Sequence, residues 1–321
     1  MQKHQYTQEA QRTITIIEEN YTIDWNNPKD LINLTELDLS YNQITDSSCL
    51  KELSNLTHLH LHGNLIGDSS FLKELTHLTY LNLYNNLITN ISFLQELTHL
   101  TTLYLGDNQI IDISPLRNLA NLEHLDLRGN SIGDISPLKE LTKLAHLHFG
   151  YNPISDISSL KNLTNLTHLD LSGNQITDYS SLKNLTNLTH LDLSDNQINS
   201  ITFLQKFTKL IKLDLRGNRI THISPLKELT TLTHLDLSDN QIGDISLLKD
   251  LTNLTHLDLS DNSIKIFPKE LLNLNLAIKL KNDDKSAIVL ENNPIEEPPL
   301  EIIAQGNEAV RDYFGKRVGG V

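Results

Sequence analysis

An asparagine returns every 22 residues along this chain, at Asn42, Asn64, Asn86, Asn108, Asn130, Asn152, Asn174, Asn196, Asn218, Asn240 and Asn262. The interval never varies, since 262 − 42 = 220 = 10 × 22. The neighbours of each Asn repeat with it. Thr233-His234-Leu235-Asp236-Leu237-Ser238-Asp239-Asn240-Gln241-Ile242 recurs almost unchanged from Thr255 to Ile264 and from Thr189 to Ile198. With Gly173 for the second Asp, it recurs again from Thr167 to Ile176. One such unit cannot bury its own apolar side chains. A stack of equal units buries them as one continuous column, so the period predicts a solenoid whose core grows linearly with the number of coils.

Let the Asn be position 9 of each coil. Apolar residues then fall at positions 1, 4, 6, 11, 14, 17 and 20, as in Leu100, Leu103, Leu105, Ile110, Ile113, Leu116 and Leu119. Positions 4 and 6 alternate with polar residues, which is the spacing of a strand buried on one face. The Asn turns the chain out of that strand. Its amide can both donate to and accept from the backbone of its own and the next coil. On the return leg, Ser114-Pro115, Ser136-Pro137 and Ser224-Pro225 read as an N-cap followed by Pro at the first helical position. They predict a helical or 3₁₀ turn too short to be a full helix.

The skeleton L-x-x-L-x-L-x-x-N-x-I, here Leu232, Leu235, Leu237, Asn240 and Ile242, resembles the leucine-rich repeat. That resemblance implies an α/β solenoid of about twelve coils. Such a solenoid is a horseshoe or arc, with a parallel β-sheet on its concave face and short 3₁₀ or helical turns on its convex side. Over residues 34–262 the 22-residue coils are similar to the intracellular phosphatase-regulator class and to bacterial internalins. Strands ~4.8 Å apart would make a sheet on the order of 55 Å long.

The ends depart from the period. Residues 1–33 are expected to form an N-terminal cap, with an amphipathic helix from Thr7 to Glu19 carrying Ala10, Ile14 and Ile17, then an extended piece with Ile23 and Trp25. The solenoid is expected over 34–298. Its ladder continues to Asn293, after an insertion of nine residues (293 − 262 = 31 = 22 + 9). Leu276 to Leu280 and Ala287 to Leu290 alternate like strands, and Asn282-Asp283-Asp284-Lys285 reads as a turn. Together they predict a hairpin over about 276–290. Residues 299–321 are expected to be a helical cap, broken at Gly306, with a frayed tail from Gly315.

The closing segment from Asn293 to Phe314 resembles the one that ends the leucine-rich repeats of bacterial Roco proteins, ahead of their Ras-like GTPase domain. The GTPase itself does not carry over. A P-loop needs G-x-x-x-x-G-K-[ST], whereas Gly315-Lys316 is preceded by Val310 in the first Gly position and followed by Arg317.

The formal net charge is −14, which argues against nucleic acid and anionic membranes as partners. No apolar run approaches the ~20 residues of a membrane span. The start, Met1 to Gln5, has no apolar signal core, and the single Cys49 allows no internal disulfide. A cytoplasmic location is expected.

The face a partner would meet is set by positions 3, 5 and 7. Asp170, Asp192, Asp214, Asp236 and Asp258 form a column at position 5, beside a His column at position 3. Such like charges on neighbouring strands destabilise a sheet unless something offsets them. The offset could come from the His column, from Lys212, Arg216 and Arg219, or from a cationic partner, and the acids should raise the pKa of the His beside them. Two readings stand: solvated fillers of a duplicated repeat, or an acidic docking surface. A flat ladder does not enclose a tetrahedral ion, so no metal or other cofactor is expected.

The N-terminal coils differ. His58 and Tyr80 adjoin at position 3; His60, Asn82 and Tyr104 follow one another at position 5; His62 and Tyr84 adjoin at position 7. This block measures roughly 10 Å by 14 Å from strand geometry. It reads either as drift between repeats, since Tyr tolerates exposure, or, because its aromatics cluster in register, as a block with the amphipathic, rigid composition of a binding hot spot. No nucleophile, base and orienting group converge. The expected function is a non-enzymatic scaffold that binds a protein partner, with a basic segment, or an adjoining domain of a parent chain. The regulatory repeat segment of a Roco-type GTPase is the alternative.

Overall fold

The protein, in a computed structural model that describes residues 3–281 and 286–318, comprises two compact units, Met1–Leu166 and Thr167–Val321. In both, three-residue strands alternate with short 3₁₀ turns. The first unit contains β1 (Glu36–Asp38), β2 (His58–His60), β3 (Tyr80–Asn82), β4 (Thr102–Tyr104), β5 (His124–Asp126) and β6 (His146–His148). These pair parallel in chain order, and each residue faces the one 22 positions later, as Glu36 faces His58 and Leu81 faces Leu103. The register has no freedom, because a slip of one residue would turn every inward Leu to solvent.

The second unit contains β7 (His168–Asp170), β8 (His190–Asp192), β9 (Lys212–Asp214), β10 (His234–Asp236), β11 (His256–Asp258), β12 (Ala277–Lys279) and β13 (Ala287–Val289). Their order is β7-β8-β9-β10-β11-β13-β12, and the pairings from β7 through β11 to β13 are parallel. The expected hairpin is therefore wrong. β12 and β13 run parallel, with Ile278 opposite Ile288. Ile288 occupies the place of the repeat's inward Leu, so β13 takes the next slot on β11, with Leu257 opposite Ile288, and β12 lies outside it. The expected turn Asn282-Asp283-Asp284-Lys285 lies outside the described residues.

The core follows the predicted positions. Leu100, Leu103, Leu105, Ile110, Ile113, Leu116 and Leu119 are all at most 1% exposed. Full burial of each is worth about 1.5–3 kcal/mol. The Asn ladder binds successive coils through their backbones. Asn130 accepts from Ile110 N–H at 2.9 Å and donates to the carbonyls of Leu105 (3.0 Å), Leu127 (3.0 Å) and Arg128 (3.2 Å). Asn240 does the same with Ile220, Leu215, Leu237 and Ser238. Asn293 continues the set with Ile264 N–H and the carbonyls of Leu259, Leu290 and Glu291.

The 3₁₀ turns begin at the predicted Ser-Pro pairs, Ser114–Asn118, Ser136–Leu138 and Ser224–Glu228. The Ser hydroxyl is not the cap. In the first two, the carboxylate two residues upstream takes that role: Asp112 Oδ1 accepts from Ser114 N–H, and Asp134 Oδ1 from Ser136 N–H, each at 2.8 Å. A carboxylate there accepts a charge-assisted bond from an otherwise orphaned turn donor. The same bond is the largest cause holding the Asp134 and Asp178 carboxyls below their usual range.

Helix α1 (Gln8–Tyr21) buries Ala10, Thr13, Ile14 and Ile17, and Thr7 caps it by accepting from Ala10 N–H. Trp25 is fully buried. The extended piece expected here ends in a second helix, α2 (Pro28–Asn33), capped by Asn27. In the second unit, α3 (Leu300–Ile303) and α4 (Asn307–Val318) are separated at Gly306, whose φ of +88° suits glycine and few others. Contrary to the expected fraying, α4 runs through Gly315.

Candidate functional site

Strand positions 3, 5 and 7 project from the sheet face opposite the core. In the first unit five of the six predicted residues, all but Tyr84, come together as a run of neighbouring rings. His58 stacks on Tyr80 at 5.7 Å, His60 packs against Tyr80 at 4.6 Å, and Tyr80 meets Tyr104 at 5.8 Å. His60 and His62 are 6.4 Å apart. Neighbouring coils lie one strand spacing apart, so rings at one position stack without further adjustment. All six side chains are half-buried, not fully solvated as their strand positions imply, and five of the rings cover one another. Burial, first, pushes the Tyr80 phenol above its ordinary range, helped by Tyr104.

Tyr84 is held differently. Its hydroxyl donates to the Asp107 carboxylate. Its ring lies over Gly106: a Cβ there would stand 2.9 Å from Tyr84 Cδ2 and Cε2. The hydrogen bond, with burial second, raises the Tyr84 phenol from 10.0 to about 12.

Hydrogen bonding fixes which nitrogen of several His rings carries the proton. Thr57 Oγ1 spends its only proton on the Thr35 carbonyl and lies 3.0 Å from His58 Nδ1. Nδ1–H must then be the donor, which makes Nε2 the acceptor of the neutral ring. The same holds for His190, His234 and His256, whose partners Thr189, Thr233 and Thr255 also donate to backbone carbonyls.

Sequence reasoning missed Tyr41, whose ring meets His62 edge-on at 4.9 Å. The signal was legible. Tyr41 occupies position 8, which holds Gly, Asn or Asp in every other coil from Asn64 to Asn262 except that of Tyr151.

In the second unit Asp192, Asp214 and Asp236 align across neighbouring strands, and Asp258 faces Asp236; Asp170 faces Asp192. Much of the offset they need is local. Asp170 accepts from Ser172 N–H (2.9 Å) and hydroxyl (2.7 Å), Asp192 from Ser194 (2.9 and 2.7 Å), and Asp236 from Ser238 (2.9 and 2.6 Å). Asp258 accepts from Ser260 in the same way. Asp214 has Arg216 at this place and accepts its N–H at 3.0 Å, while the guanidinium turns to Asp195 at 3.1 Å. Without a hydroxyl donor, Asp214 rises to about 7, chiefly through burial, and then through Asp192 and Asp236. Burial also raises Asp192 and Asp236.

Two histidines beside the acids are lowered, not raised. Burial lowers His190, with Lys212 adding to it, and burial lowers His234, with His256 and Lys212 adding. They pack as stacked pairs, His168 on His190 at 4.1 Å and His234 on His256 at 4.2 Å, in which a second positive ring is unfavourable. Among the described residues no three His, Cys, Asp or Glu side chains converge as metal ligands. Nor is any helix among them long and apolar enough to cross a membrane.

The family model described as Leucine Rich repeats (2 copies) matches residues 32–74, 76–118, 98–140, 120–162, 142–184, 164–206, 186–230, 208–249 and 230–271. A search of curated proteins finds no match. Among solved structures, an internalin (inlF) from Listeria monocytogenes is 36% identical, covering 88% of this chain and 81% of its own, with a TM-score of 0.80. An internalin C2 (inlC2) from the same organism is 40% identical over 56% of this chain and 80% of its own, with a TM-score of 0.55. A Leptospira interrogans leucine-rich-repeat protein, 24% identical, covers 89% of this chain and 83% of its own at a TM-score of 0.68, and shares the fold. The 22-residue period, the Asn ladder and these matches agree: the chain belongs to the leucine-rich repeat family.

Proposed function

We propose that this protein is a non-catalytic scaffold that grips a protein partner through the exposed face of its sheet. Solenoids of this kind present extended surfaces suited to such binding. The observation that carries the reading is the run of ring contacts in the first unit, His58–Tyr80, His60–Tyr80 and Tyr80–Tyr104. Aromatic side chains held by their neighbours lose little rotamer entropy on binding and bury much area. His58, His60, His62, Tyr80, Tyr84 and Tyr104 are the grip in this reading.

Asp170, Asp192, Asp214, Asp236 and Asp258 act as an acidic surface that draws a basic segment of the partner. Residues 1–33 and 299–321 serve as caps. A location in the cytoplasm fits the single buried Cys49.

A second reading, the regulatory repeat segment of a Roco-type GTPase, is favoured by the closing segment Asn293 to Phe314. A P-loop encoded downstream in the same reading frame would establish it.

The test of the first reading is affinity capture from the source cell, comparing wild type with Tyr80→Ala/Tyr84→Ala/Tyr104→Ala. Each change should cost about 1–2 kcal/mol in binding. Undiminished capture by a folded triple variant would move the interface elsewhere.

A further inference from the structure

Where α1 meets β1 in the first unit, a groove of about 580 Å³ is lined by Asn20, Tyr21, Asp38, Ser40, Tyr41 and His62. We propose that this groove is a subsite for an arginine side chain of a protein partner, with the Tyr41 ring against the guanidinium plane, His62 at its edge and Asp38 as its counter-charge.

The polar atoms of the groove leave little choice of ligand. Ser40 Oγ lies 2.6 Å from Asp38 Oδ1 and 2.7 Å from His62 Nδ1. It has one proton, and two acceptors cannot face each other across that oxygen. Ser40 therefore donates to Asp38, His62 Nδ1–H donates to Ser40, and His62 Nε2 is left as an acceptor. The Tyr21 hydroxyl is occupied by the backbone of Asp38. Asp38 Oδ1 takes both donors of Ser40, N–H at 2.9 Å and Oγ at 2.6 Å. Both bonds fall on that one oxygen, which leaves Oδ2 without a hydrogen bond among the described residues, on a carboxylate that lines the groove.

Burial works against the ionised Asp38 carboxyl, but the two bonds from Ser40 and the nearby His60 and His62 outweigh it and hold the group below its usual value. The groove thus carries a fixed negative charge and spare acceptors, and no Lys or Arg lines it. It calls for a cation rich in donors.

The walls select a flat one. Tyr41 is 74% exposed and has a φ of +58°, a conformation costly for a bulky side chain. Its ring lies across Gly63, where a Cβ would stand 2.5 Å from Tyr41 Cδ1. An exposed Tyr in this position contributes little to the core, but it supplies an aromatic face beside a carboxylate. A guanidinium stacks on such a face and donates in its own plane, whereas an ammonium is a compact, strongly hydrated charge.

The identity of the occupant as a partner's side chain rests on the proposed scaffold role; the chemistry of the groove does not, and it is tested without the partner. Nα-acetyl-arginine methylamide is titrated into the whole protein while the ring signals of Tyr41 and His62 are followed by NMR. Nα-acetyl-citrulline methylamide serves as the neutral isostere and Nα-acetyl-lysine methylamide as the other cation. We expect saturable shifts at both rings with the arginine compound, at least ~10-fold weaker binding in Asp38→Asn with unchanged melting, and none with citrulline. The side-chain amide oxygen of that variant can still accept from Ser40, so the local turn is kept; Tyr41→Ala should weaken binding as well. Absence of saturable shifts, equal shifts from citrulline, or undiminished binding by both variants would overturn the proposal. Tighter binding of the lysine compound would overturn the choice of guanidinium. A subsite that binds arginine in a protein that captures no partner would fault the scaffold reading alone.

Discussion

A single phenolic oxygen joins Tyr21 to Asp38 twice. It accepts the Asp38 backbone N–H at 2.6 Å and donates to the Asp38 carbonyl at 3.1 Å. Asp38 lies on the first strand, where a neighbouring strand would otherwise supply both partners. The hydroxyl stands in for that strand and guards an edge on which foreign chains could pair. In the second unit Asn307 does similar work beside the outermost strand, accepting from Ile278 N–H at 2.9 Å and donating to the Leu276 carbonyl at 2.7 Å.

Tyr21→Phe removes both bonds and leaves the ring. Water can reach this edge, so the expected loss is modest, about 1 kcal/mol in chemical denaturation. Self-association should increase, as read by sedimentation at rising concentration. A variant with wild-type stability and no added association would show that the edge needs no such guard.

The rungs of the Asn ladder are not equal. Asn240 makes four bonds, whereas Asn196 donates to Leu171, Leu193 and Ser194 while its buried Oδ1 has no partner among the described residues. Asn240→Ala should lose roughly 1–3 kcal/mol by orphaning buried backbone groups, and Asn196→Ala should lose less. The measurement is a pair of urea unfolding curves; equal or reversed losses would contradict the bonding seen here.

Asp214 sets the sign of the pH dependence of its face. Its folded pKa, about 7 against an ordinary 3.8, is raised. The native state holds that proton more tightly, so the stability it contributes is complete below the ordinary value and is lost as pH rises towards 7. Asp192 and Asp236 act in the same direction. His190 and His234, lowered by burial, act oppositely: their stability is present above their ordinary 6.5 and is lost as pH falls. Asp214→Asn should therefore be more stable than wild type at pH 8, on the order of 2 kcal/mol. At pH 3 the two should nearly agree. A gap independent of pH would exclude this account.

Gly106→Ala probes the seat of Tyr84 without altering the tyrosine. The new methyl would meet the ring at 2.9 Å and push it from Asp107. The phenol, now at about 12, should fall towards its ordinary 10.0, which tyrosine ring NMR against pH would show. Little stability should be lost, under ~1 kcal/mol. An unchanged titration would mean that the ring and Asp107 move together.

What the sequence made legible was whatever repeats. Leu103, Leu105, Ile110 and Asn130 could be placed because ten other coils carry the same pattern in the same phase. Touching rings at His58 and Tyr80 followed from register alone, whereas Tyr80 meets Tyr104 across a diagonal. Features that occur once were harder. The Asn27-Pro28 start of the second helix was a readable cap overlooked beside Trp25. The parallel pairing of Ala277–Lys279 with Ala287–Val289 turned on Ile288 claiming the next rung, which strand alternation cannot reveal. The Tyr21–Asp38 contact has no periodic counterpart. The expected rise in pKa fails at His190 and His234, where burial and neighbouring cationic groups lower it instead.

The ladder also bears on how such a chain can change its length. Most of the ladder Asn reach back to a carbonyl 25 residues earlier and an N–H 20 residues earlier, as Asn240 does with Leu215 and Ile220. Excising any 22 residues, for example 234–255, brings an equivalent carbonyl, amide and apolar set to the vacated place, since His256 follows Thr233 as His234 did. Losing one residue shifts the phase of the coil that contains it and breaks the joints that span the gap. Tandem duplication and deletion of whole coils are thus nearly silent to the fold, while single-residue gaps are not. A gene of this construction can vary its reach in steps of one strand spacing, ~4.8 Å, and put different side chains on the same frame.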